Sequence, residues 1–339
     1  GYQGVEASAD VGNSAHGGGF TRKGTFLAGG GDLNKDGYNA YFSAQFEEDN
    51  AIQAGDRGFP YNTQDLSSIG GANLQPGQPA NGSGSIYGSV TPGTLGTPGD
   101  VTTGIPNNGA TASLLTGGCG AKGSLTTDKS GTYCQQNTTA QYGQIQAKTK
   151  EGGVYGRFTM KINDTTKAYV SLSYMETKTY AVDAPAQIQT STPNNTNNIA
   201  LPAYLSNGSL NPNDPFAASG QAALLNYAFG DIPRGGTYDN HNLRIVGDVA
   251  GTWGEWNYDA ALVLNHTSLD TQLYGYLQYA GLINAINTGS YNFLNPASNS
   301  ASVRNALAPG YNKTSTSDLD AIDLAANRTL FDLPGGALG

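Results

Sequence analysis

Residues Val154–Tyr174 read VYGRFTMKI, NDTT, KAYVSLSY, and their alternation decides the fold. The even positions Val154, Gly156, Phe158, Met160 and Ile162 are apolar or small, while Tyr155, Arg157, Thr159 and Lys161 between them are largely polar. Successive side chains of a strand point to opposite faces, so this period of two puts all the apolar groups on one side. Asn163-Asp164-Thr165-Thr166 is a compact polar turn. After it Ala168, Val170, Leu172 and Tyr174 alternate with Lys167, Tyr169, Ser171 and Ser173. The stretch is a β-hairpin with one greasy face.

The same unit recurs on either side. Leu243, Ile245, Gly247, Val249 and Gly251 alternate with Asn242, Arg244, Asp248 and Thr252 up to the turn Trp253-Gly254-Glu255-Trp256. The return strand sets Tyr258, Ala260, Leu262 and Leu264 opposite Asn257, Asp259, Asn265 and Thr267, with Ala261 and Val263 as exceptions. Towards the start, Val5, Ala7, Ala9 and Val11 alternate with Glu6, Ser8 and Asp10, and Tyr38, Ala40, Phe42, Ala44 and Phe46 alternate with Asn39, Tyr41, Ser43, Gln45 and Glu47. Phe20 to Gly31 reads as a weaker strand, and a last one runs from about Leu319 to Phe331. The expectation is an all-β chain of about eight antiparallel strands.

Connections alternate in length. Short turns fall at Leu33 to Gly37, Asn163 to Thr166, Trp253 to Trp256 and Pro334 to Gly336. Apart from one short link near Asn13 to Gly19, the opposite end carries three long loops, at residues 53–151, 183–238 and 276–316. Median connections in compact domains are about 4 to 6 residues, whereas outer-membrane barrels combine short periplasmic turns, long extracellular loops and a lipid-facing apolar stripe. The loops are rich in Gly, Asn, Ser, Thr and Pro, which suits surface segments. Gln221 to Phe229, Ala280 to Ile286 and Ser302 to Leu307 read as short helices within them.

Composition agrees. Gly supplies 48 of the 339 residues, about twice the usual share of roughly 7%, and the 13% of charged residues is half the usual value of about 25%. The net charge of −9 and the lack of any basic run argue against nucleic acid, whose phosphates demand clustered Lys and Arg. No window approaches the roughly 20 apolar residues of a spanning helix, and mean hydropathy is −0.38. Barrel strands of about 10 alternating residues would leave that mean unremarkable. The chain opens at Gly1 without a leader-like segment, so a secretion signal is expected outside this piece.

Three turn motifs carry a family resemblance. Gly31-Asp32-Leu33-Asn34-Lys35-Asp36-Gly37-Tyr38-Asn39, Gly254-Glu255-Trp256-Asn257-Tyr258-Asp259-Ala260 and Leu330-Phe331-Asp332-Leu333-Pro334-Gly335-Gly336 resemble periplasmic turns of TonB-dependent outer-membrane receptors. The resemblance implies part of a 22-stranded barrel, about a third of it, without the plug that fills it or the segment that contacts TonB. It also implies a place in the bacterial outer membrane among its lipids, and energised uptake of a small-molecule nutrient such as a siderophore, cobalamin or an oligosaccharide. TonB, the energy-transducing partner, would act through the missing plug. No catalysis and no cofactor are implied. Three alternatives stay open: a passive porin, a small closed eight-stranded barrel, and a secreted β-rich adhesin.

Other residues complete the reading. Cys119 and Cys134, the two cysteines, lie in the longest loop and should pair as a disulfide in an oxidising compartment. Asp32-x-Asn34-x-Asp36-Gly37 opens like a calcium loop, but Ser43 stands where the bidentate Glu belongs, so it reads as a β-turn. His16, His241 and His266 are scattered and define no metal site by spacing. The sequons Asn137-Thr138-Thr139, Asn207-Gly208-Ser209 and Asn265-His266-Thr267 are expected by chance in an Asn- and Thr-rich chain. Trp253, Trp256, Tyr258 and Tyr38 cluster beside short turns as an interfacial girdle would. Arg157, Lys161, Arg244, Asp248 and Asp259 would face the lumen. Tyr61, Tyr87, Tyr133 and Tyr142, in the longest loop, could stack on a ligand or pin the loops to one another.

Overall fold

Eight long strands pair antiparallel in chain order: β1 (Gly4–Gly12), β2 (Thr21–Gly30), β3 (Tyr38–Asp49), β4 (Lys148–Lys161), β5 (Thr166–Asp183), β6 (Arg234–Trp253), β7 (Trp256–Tyr274) and β8 (Tyr311–Asn327). The computed structural model describes residues 1–72, 88–107, 109–116, 118–119, 123–128, 131–188, 198–333 and 336–338. β1 and β8 do not pair with each other. The eight strands thus form an open sheet, and the small closed barrel is set aside.

The turns follow from their residues. Gly254-Glu255 is a two-residue loop between the paired Trp253 and Trp256, with Gly254 at φ +60°, as the first central position of a type II′ hairpin turn requires. In the turn before β3, the Asp32 carboxylate accepts the Asn34 and Lys35 amides at 2.8 and 3.2 Å, and Asp36 accepts the Asp32 amide at 2.9 Å. Those carboxylates are turned onto their own backbone, as the β-turn reading expects. Phe331–Leu333 and Gly336–Leu338 pair antiparallel, and Pro334 and Gly335 of the last expected turn lie outside the described residues.

The strands run further than their alternation predicts. β4 begins at Lys148, β6 at Arg234 and β8 at Tyr311, all inside stretches expected to be loop, and β8 ends at Asn327 rather than near Phe331. Backbone pairing continues where both faces have become polar, so the hydrophobic period fades before the ladder does.

The long loops were expected to be solvated surface segments, and here the structure differs most. Together they build a folded cap with its own buried core. Ala222–Ala228 pairs with Ser89–Leu95, which in turn pairs with Gly104–Pro106 and Ala112–Ser113, while Gln187–Ile188 and Ala200–Leu201 pair with Ala222–Ala228. The stretch Gln221 to Phe229, expected as a helix, is this cap's central strand. Both of its faces are covered, and a short, mostly apolar run carries no period to separate strand from helix. The other two helices form as read, α2 (Tyr279–Thr288) and α3 (Ala301–Leu307).

Leu201, Leu225, Tyr227, Phe229, Leu282, Ile286, Tyr291, Phe293 and Leu307 meet in one cluster with Val90, Val101 and Leu114. Four of its rings, Tyr227, Phe229, Tyr291 and Phe293, stand 4.8 to 6.3 Å apart, mostly edge to face, the arrangement aromatic quadrupoles favour. Buried asparagines stitch the loops together. Asn198 donates to the Gly104 carbonyl at 3.1 Å, and Asn213 donates to the Tyr291 carbonyl at 3.2 Å while accepting the Phe293 amide at 3.0 Å. No described helix is long and apolar enough to cross a membrane.

Candidate functional site

The sheet presents two unlike faces. On the first, the register lines up Phe42, Phe158, Val170, Leu243, Leu262 and Ile322 with their neighbours of the same parity. These large apolar side chains are uncovered: Phe158 is 41% exposed, Leu172 45% and Ile322 75%. Single exposed apolar residues are ordinary, but a contiguous band across a whole sheet needs a covering medium.

The edges of this band are oblique to the hydrogen-bonded rows. Going up from the short turns, the first charged or imidazole-bearing residue on this face is Glu48 on β3, Lys150 on β4, Glu176 on β5, His241 on β6, His266 on β7 and Asp320 on β8. In register, Glu48 and Lys150 share a row, Glu176 and His241 lie one row lower, His266 two rows and Asp320 three. Three rows are six residues, about 20 Å along a strand, across five strand intervals of about 4.8 Å each. The boundary is therefore inclined by about 40° to the rows, which equals a strand tilt of about 40° if the boundary is level. The lower edge descends in the same direction. Tyr38 on β3 pairs through Met160 and Ala168 to Val249, and Trp253 and Trp256 lie two rows below Val249.

The opposite face is polar and concave, since residues from five adjacent strands line a single cleft of about 680 Å³ near the short turns: Tyr41, Arg157, Thr159, Lys167, Tyr169, Asp248 and Asp259. The Arg157 guanidinium lies 3.6 Å from the centre of the Tyr169 ring, and Tyr41 and Tyr155 are 5.7 Å apart, centre to centre. Cation–π contact of this kind holds the guanidinium against the wall, and its Nε donates to the Thr159 hydroxyl at 3.3 Å. Two cations face two carboxylates, so the cleft is polar without a large net charge. Higher on this face Asn242 donates to Asn265 at 3.1 Å and to Thr267 at 2.7 Å, and Lys23 pairs with Glu47 at 2.8 Å. Of the five residues expected here, Arg157, Asp248 and Asp259 meet in the cleft. Arg244 shares their face higher up, and Lys161 is turned to Asp164 at 2.7 Å.

Three of the four candidate tyrosines lie among the described residues, in different settings. Tyr133 is buried in the Gly131–Gln136 strand, on the same strand as Cys134, whose disulfide with Cys119 is formed. Tyr142 is half-buried at the end of α1 (Thr138–Tyr142), Tyr61 is exposed after Pro60, and Tyr87 lies outside the described residues.

Within the cap, Asp214 is 5% exposed; its Oδ1 accepts the Phe216 amide at 2.7 Å while its Oδ2 has no partner. Burial of the charge pushes its carboxyl up to about 7, against the smaller opposite pull of that amide. Burial likewise raises the Tyr227 and Tyr291 phenols. Tyr291 donates to Asp231 at 2.7 Å, and Arg304 donates to the other oxygen at 3.0 Å.

Two clusters were missed in the sequence because each is assembled across strands. Around Glu48 gather Arg22, Lys148 at 2.8 Å and Lys150 at 3.8 Å. Beside them Lys178 pairs with Asp239 at 2.7 Å, and ligand atoms of Asp239, His241 and Glu176 lie within 4.8 Å of one another. The available signal was the continuation of the same parity past the apolar run, from Phe46 to Glu48 and from Val154 to Lys150 and Lys148.

Compared with protein-family models, with curated proteins and with solved structures, the chain matches none.

Proposed function

We propose that this chain is part of the wall and extracellular cap of an outer-membrane β-barrel of the TonB-dependent receptor type, which captures a scarce nutrient at the cap and passes it inward by energised uptake. The observation that carries the membrane reading is the apolar band whose two edges both slant across the hydrogen-bonded rows. Its inclination of about 40° falls in the 35–45° tilt range of outer-membrane barrel strands. On β3 the band runs from Tyr38 to Phe46, about 27 Å of strand or about 21 Å of height at that tilt, near the apolar height of about 25 Å in such barrels. A soluble sheet has no reason to keep two level edges oblique to its own ladder.

Trp253, Trp256, Tyr258 and Tyr38 at the lower edge then serve as an aromatic girdle. The polar face lines the lumen, and the unpaired edges of β1 and β8 are where further wall strands would join. The receptor part of the reading rests on the three turn motifs and on the folded cap, which offers a shaped surface rather than mobile tails.

The experiment is uptake by cells carrying the full-length protein, with and without collapse of the inner-membrane proton gradient, using radiolabelled iron chelates, cobalamin and oligosaccharides. Uptake abolished with the gradient supports the receptor reading. Uptake that persists makes the protein a passive porin, and failure to float with lipid vesicles sinks the membrane reading altogether.

A further inference from the structure

The charged groups above the apolar band are distributed unevenly. On β2 to β5 this face carries Arg22, Lys148, Lys150 and Lys178 against Glu48 and Glu176, an excess of two cations. On β6, β7 and β8 it carries Asp239, Asp270, Asp318 and Asp320. The cationic half is organised. The Glu48 side chain, only 10% exposed, holds the Arg22 guanidinium and the Lys148 and Lys150 ammonium groups around itself, and those three side chains are 56%, 37% and 42% exposed. Lys148 also lies 6.0 Å from the centre of the Tyr180 ring, and Arg22 5.6 Å from that of Phe46. One carboxylate cannot neutralise three cations, so the cluster presents fixed positive charge on a half-rigid frame.

Its position selects the partner. Register puts Arg22, Glu48, Lys150 and Lys178 in one row; the row below it holds Phe46, Gly152 and Glu176, and the next holds Val154 and Tyr174, where apolar band gives way to polar strand. A group bound there must be anionic at the level of the cations and apolar below them.

We propose that Arg22, Lys148 and Lys150, arranged around Glu48 on the lipid-facing side of β2 and β4, bind the phosphorylated headgroup of a membrane lipid whose acyl chains lie on Phe46 and Val154. The inference rests on the membrane reading above and goes beyond it by naming a lipid class and its site. Lys178 extends the same row and pairs with Asp239, which ends the cationic stretch towards β6. Charge-assisted hydrogen bonds from a guanidinium and two ammonium groups suit phosphate oxygens.

The test is native mass spectrometry of the full-length protein released from nanodiscs of phosphatidylcholine containing a minor share of a bisphosphorylated glycolipid. Each net cation at a membrane surface is worth about fivefold in binding, so the wild type should retain the glycolipid about 30-fold over phosphatidylcholine. Arg22→Gln/Lys148→Gln/Lys150→Gln should lose that preference. Because this triple variant strands Glu48 without partners, a second variant adds Glu48→Gln, which leaves no unpaired buried carboxylate and should show the same loss. Equal retention of both lipids, unchanged retention in the two variants, or complete displacement by millimolar inorganic phosphate would each overturn the proposal. Failure of the wild type to enter the nanodisc at all would instead strike the membrane reading on which it rests.

Discussion

Placing an arginine at Val170 separates a lipid-facing wall from a solvated sheet. On β5 the apolar stretch ends at Glu176, six residues above Val170, which is about 20 Å along the strand and about 15 Å in height at a tilt of about 40°. In a band about 25 Å tall that is close to the midplane, where Arg on the lipid face of a barrel costs about 2–4 kcal/mol. Tyr174 faces the same way but is two residues from the boundary, about 5 Å in height, where the cost falls to about 0–1 kcal/mol. Urea unfolding of the full-length protein folded into phosphatidylcholine vesicles, followed by the fluorescence of Trp253 and Trp256, should therefore show Val170→Arg losing several times more stability than Tyr174→Arg. Val170 is 49% exposed and Tyr174 37%. In water, substitutions at such surface positions usually stay within about ±0.5 kcal/mol. Two small and similar changes would refute both the depth assignment and the membrane reading built on it.

Other expectations concern the cap. Asp214, whose carboxyl is pushed up to about 7 from 3.8, holds its proton in the folded cap where the unfolded chain has lost it. Between roughly pH 4 and 7 the folded state binds more protons, so cap stability falls as pH rises, by about 1.4 kcal/mol per unit at most; Asp214→Asn should flatten this slope, read by amide exchange of the cap at pH 5 and pH 8. Asn213→Ala leaves the Tyr291 carbonyl and Phe293 amide unpaired inside the core and should cost about 1–3 kcal/mol, visible as faster exchange at Phe293. Cys119→Ser/Cys134→Ser opens a link across a sequence separation of 15, worth about 3 kcal/mol to the local fold in the chain-entropy model. Limited proteolysis should then cut between those positions, and equal resistance in the variant would contradict that estimate.

The eight strands of the sheet were legible because each carries its own record. Phe158 and Met160 alternate with Arg157 and Thr159 whatever the neighbouring strands do, and Gly254 marks a two-residue turn by its need for positive φ. Less was legible at the strand tops: Lys148, Lys150 and Thr314 pair as strand residues although their side chains lack the apolar period. The run Ala222–Ala228 was misread because an apolar segment buried on both faces has no period at all. In the candidate site, the shared face of Arg157, Asp248 and Asp259 followed from parity, while the stacking of Arg157 on Tyr169 and the burial of Tyr133 did not.

The sequence by itself determined the alternating wall, its short turns, the pairing of its two cysteines in an oxidising setting, and the end from which the long loops leave. These are local properties, set by side-chain parity, turn chemistry and composition within about ten residues. Only the tertiary structure decided that three loops far apart in sequence share one apolar core. It also decided that the edges of the apolar band are oblique to the hydrogen-bonded rows, and that Arg22, Glu48, Lys148 and Lys150 form one charged cluster. Each of these depends on the register between strands, and register is fixed by the simultaneous packing of many residues, which no single stretch of chain records.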